Sequence, residues 1–281
     1  MERIPAADET PDRPSGGPRP VELPGVSALG RFGLRLNNSL GALGIFFLQA
    51  ALRMFHWKQI PEIVQQIYFI GAKSASIVAL VGFFTGMVLG LQLVYVMNKF
   101  GAVGFLGTAV ALSLIRELGP VLTAIMITAR AGSAMAAEIG IQRISEQIDA
   151  LQTMRIDPLG FLVSPRLAAG LVSFPILTAI FDLIGILGGY VSGVILLGAN
   201  AGSYLYRIDA SVDWVDVRGG FLKSIVFAAI VIAICCFQGF FTHLRTDSHG
   251  SKSVSLSTTS AVVLSCVWIL IADYVVTSFL L

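Results

Sequence analysis

Arg116 and Glu117 are neighbouring charges inside an apolar run from Thr108 to Ala137. A charge in a lipid core is costly, so such side chains face other helices or a watery cavity. A guanidinium grips phosphate through paired N–H groups, and a carboxylate can hold or orient that guanidinium. Read as an ion pair, the two residues admit two roles. They line a substrate cavity, or they only tie helices together. Asp182, in a later hydrophobic region, is a second candidate for the same cavity, with Tyr95 and Phe100 at the end of the first span. Glu117, Asp182 and Asp273 are also the residues a proton or cation pathway would use. His56, His243 and His249 have no ligand spacing, and Cys235, Cys236 and Cys266 all fall in apolar runs. No metal site and no disulfide framework is expected.

These residues need a membrane around them. The chain has 281 residues, 55% hydrophobic and 13% charged, where a soluble domain has about a quarter charged. That little charge cannot cover a water-soluble globule, so an all-α integral membrane protein is expected. The net charge of +2 leaves no electrostatic footprint for nucleic acid. Five spans are read at about 74–97, 108–137, 167–197, 221–241 and 260–281. Gly82, Gly86 and Gly90 in the first, and Gly185, Gly189 and Gly193 in the third, form two GxxxGxxxG faces. Such faces let helices approach closely. Pro120 should loosen the second span and Pro175 kink the third.

Residues 1–25 are polar and proline-dotted and read as a disordered tail. Residues 26–72 read as interfacial and elbow helices. Leu29 to Phe55 is amphipathic with too short an apolar core, so it lies in the interface or forms a poor first span. Pro61 then opens a short helix, Glu62 to Ala72. Residues 73–281 hold the spans. Glu138 to Asp157 leaves the lipid as a charged helix. Ile141, Ile144, Ile148 and Leu151 form its apolar face, which suggests a docking surface. Glu138, Arg143, Glu146, Gln147, Asp149 and Arg155 are its partner-contact candidates. Arg130 should snorkel to the headgroups. Gly198 to Gly220 and His243 to Thr259 read as polar loops. The excess of Lys and Arg, with Lys99, Arg207, Arg218 and Lys223 placed on the poorer side, puts the amino terminus and the docking helix in the cytoplasm and the carboxyl terminus outside.

Several blocks then carry a family resemblance. RELGPV at Arg116–Val121, ARAGSAMAAEIG at Ala129–Gly140, SEQIDAL at Ser145–Leu151 and DPLGFLVSPR at Asp157–Arg166 resemble the MlaE (YrbE) family. GMVLGLQ at Gly86–Gln92 and FDLIGILGGY at Phe181–Tyr190 are similar to it as well. These are permease subunits of bacterial phospholipid ABC transporters of the Mla/MCE kind. The resemblance implies a homodimer in the bacterial inner membrane, each copy with five spans and an amino-terminal interfacial helix. It implies a cytoplasmic MlaF-type ATPase carrying ATP and Mg, a periplasmic MCE-domain (MlaD-type) protein and, in many systems, a STAS-domain (MlaB-type) protein. It implies that Glu138–Asp157 is the coupling helix and that Arg116 and Glu117 border the lipid cavity.

The chain carries no ATPase motif of its own, since Gly71-Ala72-Lys73-Ser74 lacks the GxxxxGK[ST] pattern. No cofactor is expected on this chain. No Ser-His pair, HExxH or paired aspartates point to an intramembrane enzyme. An ion-gradient-driven secondary transporter or channel is the alternative, although no inverted repeat is visible.

Overall fold

A computed structural model describes residues 41–53, 59–244 and 250–280. The tail 1–25, the Arg31 and Arg35 part of the interfacial segment, Trp57, Lys58 and Arg245 lie outside those ranges. Eight helices make up the described chain. They are α1 (Gly41–Leu52), α2 (Ile60–Lys99), α3 (Val103–Ile144), α4 (Gln147–Thr153), α5 (Leu159–Leu196), α6 (Ala201–Ser211), α7 (Trp214–Phe240) and α8 (Ser251–Leu280). The five helices α2, α3, α5, α7 and α8 are each long and apolar enough to cross a membrane. The chain is an all-α, multi-pass membrane protein.

Helices α2 and α5 pack along their glycines. Gly82, Gly86 and Gly90 are buried on one face of α2, because a four-residue step returns nearly to the same side of a helix. A Cβ on Gly86 would run into the backbone carbonyl of Gly185, and one on Gly188 into that of Phe83. A Cβ on Gly90 would lie 3.0 Å from the Gly189 carbonyl. The other side of α5 takes α3. A Cβ on Gly185 would lie 2.9 Å from Leu114, one on Gly189 2.7 Å from Val110, and one on Gly193 2.5 Å from Leu106. Lipid tails supply no hydrophobic drive between helices, so this close backbone packing carries the association.

Several elements differ from the sequence reading. Helix α2 runs without a break through the boundary read at 72/73. The expected elbow Glu62–Ala72 is its first part, joined through a wide π turn at Tyr68–Ala72. The segment Glu138–Asp157 is not one helix. Helix α3 continues to Ile144, Glu146 takes a left-handed φ of 59°, and α4 starts afresh. The apolar face is split by that break: Ile148 is buried, while Ile141 and Ile144 are exposed. The loop read at Gly198–Gly220 contains α6, capped by the Asn200 side chain accepting from the Ser203 N–H at 3.0 Å. Helix α8 begins nine residues before the expected Ser260. Its Ser/Thr stretch is helical, with the Thr258 and Thr259 hydroxyls satisfied by carbonyls four residues back, at 2.8 and 3.0 Å.

Over the described residues α1 is shorter than a span, and it lies against one end of the bundle. Phe46 packs on Phe237 and Phe240, with ring centroids 5.6 and 5.8 Å apart. Ser164 donates to the Ala50 carbonyl at 2.8 Å, and Arg53 pairs with Asp157 at 2.6 Å. Gly86→Leu should lower the thermal unfolding midpoint in detergent, since overpacking a tight contact costs about 1–3 kcal/mol or more. Gly104→Ala, where an added Cβ meets nothing within 4 Å, should leave the midpoint in place.

Candidate functional site

The site grows from a defect in α3. Residue 116 of a regular helix offers its carbonyl to the N–H of residue 120. Residue 120 is proline and has none. The turn at Leu114–Leu118 widens to π geometry, with the Gly119 N–H reaching back to the Leu114 carbonyl. Wide turns of this kind are frequent at functional sites. The freed Arg116 carbonyl accepts from Lys223 Nζ of α7 at 2.8 Å.

Lys223 is buried, with 2% of its side chain exposed. Its ammonium also bonds Glu117 Oε2 at 2.7 Å and lies 3.0 Å from Asp273 Oδ1 of α8. Three helices thus meet at one nitrogen. The single hydroxyl hydrogen of Thr277 serves the Asp273 carbonyl at 2.8 Å, and its Oγ1 lies 3.3 Å from Glu117 Oε1. Arg116 turns the other way and pairs with Asp216 Oδ1 at 2.6 Å. The second carboxylate oxygen of Asp216 accepts from the Asp213 N–H at 3.2 Å and closes the start of α7. Arg116 and Glu117 are therefore not paired with each other. Consecutive positions leave a helix about 100° apart, and here they reach partners two turns apart on α7. Around them lies a cavity of about 180 Å³, lined by Arg116, Glu117, Asp216, Lys223 and Thr277 with Val215, Gly219, Gly220 and Leu280.

The other candidate residues lie elsewhere. Asp182 packs against Gly119, where a Cβ would meet its carboxylate oxygen, and that oxygen is buried without a hydrogen-bond partner. Its cavity, with Ile115, Thr178, Leu183, Val217 and Phe221, is a separate and mainly apolar one. Tyr95 and Phe100 are 66% and 79% exposed and do not line the charged cavity. Tyr95 lies one step round α2 from buried Val94, under Lys99 Nζ at 4.3 Å. Lys223, counted from the sequence on the side poorer in Lys and Arg, is buried inside α7. Arg130 does not snorkel outward. The π turn in α2 sends the Lys73 N–H to Tyr68, and Arg130 donates to the Phe69 carbonyl at 2.7 Å and to Ser74 Oγ at 2.9 Å. Asp216, Lys223 and Thr277 were missed as site residues. Pro120, four residues after a charge, was the available signal, with the Asp213-x-x-Asp216 helix start beside it.

At the end of the bundle near α4, Glu146, Gln147, Asp149 and Arg155 are exposed, while Ile148 seats α4 on its neighbours. Arg143 is mostly buried and faces inward. It donates to Asp149 at 2.7 Å and to His243 Nδ1 at 3.0 Å. Desolvation and then the Arg143 charge hold the His243 imidazole below its ordinary pKa. Glu138 pairs with buried Arg166 at 2.9 Å.

Five membrane-length helices, three of which meet at buried Lys223, define a polytopic protein with a polar site between its helices. The family described as Permease MlaE matches residues 63–279, and the chain belongs to that family. It is 38% identical over 257 residues to the intermembrane phospholipid transport system permease protein MlaE of Haemophilus influenzae, covering 91% of this chain and 97% of that one. A probable ABC transporter permease protein of Rickettsia bellii is 39% identical, with 90% and 96% covered. The chloroplastic protein TRIGALACTOSYLDIACYLGLYCEROL 1 of Arabidopsis thaliana is 35% identical, with 80% and 62% covered.

Lys223→Met leaves Glu117 and Asp273 without their cation and the Arg116 carbonyl without its donor. Breaking a buried pair costs about 3–5 kcal/mol, and the exposure of Glu117 puts the expected loss at the lower end. The thermal midpoint in detergent should fall clearly. The triple variant Lys223→Met, Glu117→Gln, Asp273→Asn should regain only part of it, since it relieves the unpaired carboxylates and still leaves the Arg116 carbonyl without a donor. A single variant as stable as the parent would show that the ammonium holds nothing together.

Proposed function

We propose that the chain is the membrane subunit of an ABC transporter that moves phospholipids between the bacterial inner membrane and periplasmic carrier proteins, and so maintains outer-membrane lipid asymmetry. The observation that carries this reading is the charged cavity inside an apolar bundle. At about 180 Å³ it falls below the roughly 300–1,000 Å³ of pockets that enclose whole small molecules. It suits a headgroup whose chains stay among apolar side chains. The phospholipid named for the H. influenzae relative has that form.

The working unit is a homodimer, with the cavity facing the partner copy. The amino terminus and α4 are cytoplasmic, and the carboxyl terminus is periplasmic. ATP and Mg bind a separate MlaF-type ATPase. An MCE-domain (MlaD-type) protein receives or delivers lipid on the periplasmic side, and a STAS-domain (MlaB-type) protein attaches to the ATPase. The exposed row Glu146, Gln147, Asp149 and Arg155 docks on the ATPase. Arg143 acts from behind, tying α4 to the turn that carries His243. Closure of the ATPase dimer pushes α4 and, through Arg143 and Glu138, tilts α3 against α5 and α7. That motion strains the contacts at Lys223, where α3, α7 and α8 meet, and opens or collapses the cavity.

A tagged chain purified in mild detergent should bring down an ATPase and phospholipid. Glu146→Arg with Arg155→Glu should lose the ATPase and keep the lipid. Transport that follows the proton gradient and ignores ATP would instead favour an ion-driven transporter working through Glu117 and Asp273.

A further inference from the structure

The apolar cavity between α3, α5 and α7 encloses about 230 Å³ and opens beside Leu183, which is 66% exposed. Ile115, Leu183, Val217 and Phe221 wall it, and two polar side chains stand among them, Thr178 and Asp182. These two are four residues apart on α5. They share one face of the helix, with Cβ atoms about 5–6 Å apart. Neither is satisfied. The Thr178 hydroxyl and Asp182 Oδ1 are both buried without a hydrogen-bond partner. Oδ1 is turned against Gly119, which leaves Oδ2 as the oxygen for the cavity. No charged side chain among the described residues acts on Asp182. Arg116 and Lys223 are taken up by the charged cluster.

A carboxyl without a partner costs free energy here in either state. Ionised, it is an uncompensated charge. Protonated, it adds a hydroxyl that needs an acceptor among apolar walls. An amine answers both. Carboxyl and amine share one proton, and the pair is neutral whichever of them carries it, so the match does not depend on the state of the free acid. A charge-assisted bond of this kind is about twice as strong as a neutral one. Other occupants fit less well. A Ca²⁺ ion takes about six to eight oxygens, which two side chains do not supply. A phospholipid headgroup finds no cation in this lining for its phosphate. An apolar cavity of about 150 Å³ takes up benzene, so this one has room for a ring or short chain. We infer that the cavity is a binding site for small hydrophobic amines, the nitrogen meeting Asp182 Oδ2 and the apolar body lying among Ile115, Leu183, Val217 and Phe221. The occupant sits behind the widened turn that carries Glu117. The site stands apart from the lipid reading, and its failure leaves that reading intact.

The test uses the full complex in lipid nanodiscs. The probe is hexylamine with a photoreactive diazirine on its chain, and the control is the same chain without the amine. Crosslinks are located by mass spectrometry. In the parent, the amine probe should label the cavity walls on α3, α5 or α7, and unlabelled hexylamine should displace it. Asp182→Asn keeps the shape of the side chain. Labelling below saturation should fall about tenfold in it, the loss of one hydrogen bond to a charged group at the low end of its range. The hydrocarbon control should label parent and variant weakly and alike. Leu183→Trp narrows the mouth and leaves Asp182 in place, and it should lose the labelling too. Absence of label at the cavity in the parent overturns the site, as does labelling that Leu183→Trp leaves unchanged. Equal amine labelling of parent and Asp182→Asn, or a hydrocarbon control that labels as strongly as the amine, shows a cavity that only takes up apolar chains and overturns the amine as its ligand.

Discussion

A backbone carbonyl without a donor costs several kcal/mol inside a bilayer, and Pro120 creates one at Arg116. The charged cluster follows from that constraint. An ammonium can reach the orphaned oxygen, and a buried ammonium in turn needs carboxylates. Lys223 reaches the oxygen, and Glu117 and Asp273 satisfy Lys223. The same logic operates at α2, where a π turn frees the Phe69 carbonyl and Arg130 fills it. In both places a charge that looks misplaced in an apolar run completes the hydrogen bonding of a neighbouring helix. Helix irregularity and intramembrane charge are two sides of one arrangement here.

Glycine sets the distances on which that arrangement depends. Helix α5 is thin on two faces, and it admits α2 on one and α3 on the other. The approach of α3 brings Gly119 against Asp182, and the widened turn just before it turns Arg116 and Glu117 toward α7. Gly220 on α7 continues the pattern, since a Cβ there would lie 2.5 Å from the Ile115 carbonyl. A side chain at that position would hold α7 away and lengthen the bonds that Lys223 and Asp216 make to α3. Small residues therefore do in this bundle what a hydrophobic core does in water, and they do it by removing volume.

The far end of the bundle is built differently. There α4 is short, and its seat is a single buried isoleucine, Ile148. Arg143 joins α3, α4 and the turn after α7 through Asp149 and His243, and Arg166 holds Glu138. Apolar contacts are few there and polar ones several. The charged cluster and this polar end share the helices α3 and α7.

The sequence by itself determined the class, the five spans and the two glycine faces, because hydropathy and four-residue spacing are local properties that a bilayer turns directly into structure. It also singled out Arg116 and Glu117, since charge in an apolar run is visible without a fold. Asp273 stood out for the same reason, but the pairing of these charges was not visible. Asp216, Lys223 and Asp273 lie more than 90 residues away, and only the packing of α7 and α8 on α3 brings them to the same cavity. For the same reason sequence order joined Arg116 to Glu117, while tertiary structure separated them onto two carriers of opposite charge. Tyr95, Phe100 and Asp182, picked for standing in or beside apolar runs, lie outside the charged cavity by geometry. The breaks at Ser145–Glu146 and the extra helix α6 were likewise decided by what each segment packs against, which residue type and period do not encode.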